Sequence, residues 1–117
     1  MPPLTDPERS KWYLHALENW AVGEYINWED DALRWVRAQL SAYSTKQLGE
    51  LLYLQVQQNG LSCVDEQPET RPHWRNRHEF HHDLRVRIER RLIYFETRLI
   101  ILRHGDSYIS VVNVHDA

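Results

Sequence analysis

A chain of 117 residues with 42% hydrophobic and 26% charged side chains has the length and balance of one soluble globular domain. Its net charge of −3 argues against a constitutive nucleic-acid binder, its longest aliphatic run (residues 99–102) is too short to span a membrane, and its single cysteine, Cys63, cannot close an internal disulfide. The opening MPPLTDPERS lacks a basic-then-apolar leader pattern, so a cytoplasmic location is expected.

Asp6 is placed to cap a first helix with Pro7 at its first turn, and Trp12, Tyr13, Ala16, Leu17, Trp20 and Ala21 form its apolar stripe up to a stop at Gly23. Asn27 is the expected cap of a second helix, with Glu29, Asp30 and Asp31 at the favourable end of the dipole and Ala32, Trp35, Val36 and Leu40 turned inward. Ser44 and Gln47 spell a capping box for a third helix carrying Leu48, Leu51, Leu52 and Val56, stopped at Asn59-Gly60. Four of the five tryptophans (Trp12, Trp20, Trp28 and Trp35) fall in or beside the first two helices, and at helical spacing such rings are expected in the core. Residues 61–77 read as an irregular connector, with a short edge strand over 61–64 as one element inside it.

From residue 78 onward the period changes to two. Phe80, His82, Leu84, Val86 and Ile88 alternate with His81, Asp83, Arg85 and Arg87, the pattern of a half-buried strand. Residues 91–101 and 108–115 repeat it, with Gly105-Asp106 as the second turn. A two-residue loop at Glu89-Arg90 puts Ile88 opposite Arg91, Leu84 opposite Phe95 and Val86 opposite Ile93. On the other face His81 then meets Arg98, Asp83 meets Glu96 and Arg85 meets Tyr94. In the simplest third-strand register Ile101 faces Tyr108, Asn113 lies beside Glu96, His115 lies beside Tyr94, and Val112 and Val114 join the apolar face. The expected architecture is α+β: about three N-terminal helices (6–60) packed on one face of a C-terminal antiparallel meander of three to four strands (78–116). The last strand is an edge in this arrangement, open to strand addition.

Charge is unevenly spread along the chain. Residues 1–70 hold 5 Lys/Arg against 11 Asp/Glu, a net of −6; residues 71–117 hold 9 Arg against 6 Asp/Glu, a net of +3, with six of the seven histidines. The polar face of the meander thus gathers His81, Asp83, Arg85, Tyr94, Glu96, Arg98, Asn113 and His115. One chemistry available to such a set is phosphodiester cleavage in RNA. Glu96 would serve as base, since Asp83 opposite should raise the pKa of one of the pair, a shift that Arg85 and Arg98 oppose, and His81 or His115 as acid; Arg85 and Arg98 would clamp phosphate, with Tyr94 and Asn113 orienting substrate. Helices followed by a small antiparallel sheet with Arg, Glu and His on its open face resemble, over residues 80–115, the small ribonuclease toxins of bacterial toxin–antitoxin systems, the RelE/ParE-type group. That resemblance is one of architecture, and it implies a metal-independent endoribonuclease. The strongly basic charge usual in that group is absent here.

The leading expectation is different: a partner-binding or regulatory protein that uses this Arg/His/Glu face to engage a protein partner or a second copy of itself, Arg and Tyr being favoured at interfaces. A metal site is a third possibility, from His73, His78, His81 and His82 with Asp83, Glu96 and His115. His78 and His81 point to opposite sides of a strand, however, and no metal or other cofactor is expected. His82 reads as a hydrogen-bonded core residue, and His15 and His104 as solvated. No P-loop, GxGxxG, Cys-x-x-Cys or Gly-x-Ser-x-Gly motif is present, so nothing points to a nucleotide cofactor or a serine hydrolase.

Overall fold

The computed structural model describes residues 2–75 and 77–117. Helix α1 (Pro7–Glu18) starts as its sequence dictates, with Pro7 in the first turn and the Asp6 carboxylate accepting the Arg9 N–H at 2.9 Å. It ends earlier than Gly23, at an Asn19 cap whose N–H returns to Ala16 and Leu17 carbonyls. Helix α3 (Thr45–Asn59) has both bonds of the Ser44/Gln47 capping box and stops at Gly60, where φ is 76°. The N-cap position of helix α2 (Asp30–Gln39) is Glu29 rather than Asn27, and its side chain makes no capping bond. Asn27 belongs instead to a short strand, β1 (Ile26–Trp28), and its amide donates to Ser110 Oγ at 2.9 Å.

The expected edge strand also lies further along. Residues Leu61–Cys63 form a 3-10 turn, and β2 is Asp65–Pro68. A single helical turn, α4 (Pro72–Arg75), precedes β3 (Phe80–Ile88), β4 (Arg91–Ile101) and β5 (Ser107–Asp116). The fold class is α+β as expected, but the sheet is five-stranded and mixed, in the order β1-β5-β4-β3-β2, with β1 parallel to β5. Strand β5 is therefore not an open edge over Ile109–Val111, where Ile26, Asn27 and Trp28 pair with it. On the other side, Leu4 N–H donates to Val64 O and Glu66 N–H to Pro2 O, both at 2.8 Å, so the N-terminal segment runs along β2.

The β3–β4 register is the expected one, Ile88 opposite Arg91 through His82 opposite Thr97. The two-residue turn closes because Glu89 takes a left-handed φ of 58°. The β4–β5 register holds from Tyr94–His115 to Glu96–Asn113 and then shifts by one residue, so that Ile101 meets Ser107 and not Tyr108. Val112 is the extra residue of this bulge. A one-residue shift inverts the faces, so Val111 enters the core fully buried while Val112 stays half-buried outside it.

The core lies between this face of the sheet and the helices. Leu84, Val86, Ile93, Phe95, Ile109, Val111 and Val114 meet Tyr13, Leu17, Val36, Leu48, Leu52 and Val56, all nearly or fully buried. Trp20, Trp28 and Trp35 pack against it half-buried, each leaving part of its indole at the surface.

Candidate functional site

On the face away from the helices, alternation along β3, β4 and β5 brings the expected residues together. Asp83 pairs with Glu96, Arg85 with Tyr94, Tyr94 with His115 and Glu96 with Asn113. Half of this face is not open to solvent. Arg98 is 0% exposed, Asp83 2% and Glu96 5%. The cover comes from the connector: Glu69, Arg71 and Trp74 fold back over β4.

The result is an ion cluster of two carboxylates and two guanidinium groups. Arg98 Nη2 lies 2.5 Å from Glu69 Oε2 and 2.7 Å from Glu96 Oε2. Both approaches are off the N–H directions, so these are charge contacts rather than in-line hydrogen bonds. Nη1 donates to Thr97 O at 3.2 Å, Nε has no hydrogen-bond partner among the described residues, and the Trp74 ring stands 5.3 Å from the guanidinium carbon. Arg71, from its half-exposed position, donates to Glu69 through Nε at 3.1 Å and closes on Glu96 through Nη2.

The two arginines settle the protonation of both acids. Burial alone favours the neutral form of Glu69, yet hydrogen bonds from the Arg71 side chain and backbone N–H, with the Arg98 charge, outweigh it and hold the carboxyl at about 2. The same competition leaves Glu96 below its ordinary value, burial again being outweighed by Arg71 and Arg98. The rise expected at Glu96 from Asp83 therefore does not occur, because two cations lie closer to it. Asp83 turns to other neighbours. Its Oδ1 is 2.8 Å from His81 Nδ1, and with burial it pushes the Tyr94 hydroxyl well above the usual phenol range.

Beside the cluster is a solvent-facing row across three strands. Arg85, tied to Asp65 at 2.9 Å, lies 5.3 Å from the Tyr94 ring, and Tyr94 stacks on His115 with centroids 4.6 Å apart and planes 23° off parallel. His115 and Asn113 are exposed, as are Arg87 and Leu92 next to them. Thus the candidate catalytic and phosphate-binding residues share a face but divide in two: Glu96 and Arg98 are sealed, His81 is at the margin, and Arg85, Tyr94, Asn113 and His115 are outside.

Glu69, Arg71 and Trp74 were not evident from the sequence pattern. The signal was indirect: two paired strands presenting Asp83, Glu96 and Arg98 on adjacent sites need partners if anything covers them, and the connector carries two opposite charges and a large ring. A second network on the helix side was also missed. Arg9 holds Glu66 through Nε and Nη2 at 2.7 and 2.8 Å, and Glu66 accepts from His82 Nε2 at 3.0 Å. His82 is the hydrogen-bonded core residue its position implies; its Nδ1 has no hydrogen-bond partner among the described residues, and burial pulls its pKa down. His15 is not simply solvated, since Nε2 lies 2.7 Å from Asp106 Oδ1. Burial pushes the Cys63 thiol up, away from the reactive thiolate. Among the described residues no three His, Cys, Asp or Glu side chains converge as metal ligands would, and His81 and His82 turn to opposite faces of β3. Among the described residues no helix is long and apolar enough to cross a membrane.

Compared with protein-family models, curated proteins and solved structures, the chain matches none.

Proposed function

We propose that this is a partner-binding or regulatory protein whose recognition surface is the row Arg85–Tyr94–His115, with exposed Arg85 and His115 on either side of a half-buried Tyr94, built on the buried ion cluster as a rigid floor. The observation that carries this reading is the commitment of Glu96 and Arg98. A carboxylate held ionised between two arginines is a weak base, and an arginine closed on two carboxylates has no charge to offer a phosphate. What the face leaves to solvent is an arginine, a tyrosine and a histidine stacked across three paired strands, with Arg87 beside them. Preordered Arg and Tyr side chains are what protein interfaces concentrate, and the cations select an acidic protein surface. The acidic N-terminal part of a second copy of this chain is one such surface.

The test is a photo-crosslinking amino acid at position 94 of the full chain in its native host. The expected result is a discrete protein adduct, its yield cut at least ten-fold by Arg85→Glu with Arg87→Glu. An adduct at the mass of two copies identifies self-association. No protein adduct, or one indifferent to the charge reversal, refutes the reading.

The ribonuclease alternative draws support from one observation, the His81 ring held at 2.8 Å by the Asp83 carboxylate. It requires that purified protein cleave RNA without metal and that His81→Ala abolish cleavage while the fold persists.

A further inference from the structure

Away from that row, on the helical side of the molecule, a half-open cavity of about 440 Å³ lies between β1, α2 and the start of α3. This is within the size range of small-molecule sites. Two of its walls are indoles, Trp20 and Trp28, each packed on the core from behind, with Trp28 fixed edge-on to Phe95 at 6.4 Å. Leu33 adds an apolar contact. Arg37 and Lys46 line the same cavity, as does Thr45, which precedes Lys46 in the chain. Among the described residues neither the Arg37 nor the Lys46 side chain has a hydrogen bond, ion pair or ring contact, although acidic residues are plentiful in this part of the chain. Lys46 lies in the first turn of α3, whose dipole adds to the same sign of potential.

We infer that this cavity binds a small planar aromatic ligand bearing an anionic group, its ring held against Trp20 and Trp28 and its phosphate or carboxylate held by Arg37 and Lys46. Half-buried indoles supply rings already ordered, which lowers the entropic cost of stacking. Unpaired cations in the lining fix which way round the ligand lies and exclude neutral rings. The site uses no phosphate-binding loop, in keeping with the absence of such motifs. It shares no residue with the Arg85–Tyr94–His115 row, so the two proposals stand or fall separately.

The experiment titrates the full chain with adenosine monophosphate and, separately, with indole-3-carboxylate. Tryptophan fluorescence and the indole N–H resonances are followed in ¹⁵N spectra. The expected result is saturable quenching by at least one anion, with the largest shifts at the Trp20 and Trp28 indoles; which anion saturates tells phosphate from carboxylate. Arg37→Ala and Lys46→Ala are surface changes that leave the fold intact, as checked by circular dichroism, and each weakens binding roughly ten-fold. Adenosine binding as tightly as its monophosphate, inorganic phosphate alone competing equally, or affinity unchanged in the Arg37→Ala/Lys46→Ala double variant each overturns the inference. So does the absence of saturation by both anions up to about 5 mM, the range of the weakest specific sites.

Discussion

Replacing Arg98 by methionine tests whether the ion cluster is as sealed as its geometry implies. The substitution keeps most of the side-chain length and removes the cation that touches both Glu69 and Glu96. Those carboxylates are 6% and 5% exposed, so after the change they depend on Arg71, whose side chain is 46% exposed. Leaving a buried charge without its partner costs about 3–5 kcal/mol, and the surviving Arg71 contacts put this case at the lower end, about 3 kcal/mol. For a domain of this size that is a fall in Tm of roughly 12 °C. Urea unfolding at pH 7 measures it directly, and the loss should change little between low and high salt because the pair is shielded from solvent. A companion variant, Glu69→Leu with Glu96→Leu and Arg98→Met, removes the buried charges as a set and should recover most of the lost stability. A cost for Arg98→Met below about 1 kcal/mol, the range of a surface ion pair, would refute the argument that Arg98 is buried under Trp74.

Acid stability should track Glu69, whose folded pKa of about 2 lies below its ordinary 4.5. A depressed carboxyl contributes its full stability above 4.5 and loses it as pH falls toward 2, so a urea midpoint measured from pH 5 to pH 2 should drop less steeply in Glu69→Gln. His82 acts in a higher window. Its pKa is lowered by burial, so the unfolded chain takes up a proton first and stability declines as pH falls below about 6.5; His82→Gln, titrated by the same assay, should flatten that decline. Glu89→Gly should stabilise by roughly 1 kcal/mol, read by thermal melting, because Glu89 sits at a φ of 58° that costs any side chain. Ser44→Ala should cost about 1 kcal/mol in the same measurement by removing one half of the α3 capping box.

Legibility in the sequence followed the range of the interactions involved. The α1 cap at Asp6, the Ser44/Gln47 box, the Gly60 stop and the β3–β4 register are set by residues a few positions apart, and all are present as expected. Strand β1 was invisible because Ile26, Asn27 and Trp28 are too few to show a period, and they pair with residues more than eighty positions away. The β5 bulge did leave a trace. Ile109 and Val111 hold one parity and Val112 and Val114 the other, so the Val111-Val112 doublet marks where the face changes hands. One strict alternation cannot accommodate both, so Val114 lies in the core as expected while Val112 gives its place to Val111.

The candidate site divides along the same line. A period of two states which side of a sheet a residue occupies and says nothing about whether water reaches that side. Asp83, Glu96 and Arg98 look like a solvated face in the sequence because charged residues on one side of a small sheet usually are. Here the side was read correctly, and its exposure was decided elsewhere, by an irregular connector whose Glu69, Arg71 and Trp74 have no periodicity to read. The cover has a chemical consequence. Once Glu69 shares Arg98 with Glu96, the charges that would have made an acid–base pair become a fixed scaffold, while the flanking Arg85, Tyr94 and His115 keep their contact with solvent. Recognition needs rigid side chains at the surface and catalysis needs unsatisfied ones within reach of substrate, and on this face the connector supplies the first condition while removing Glu96 and Arg98 from the second.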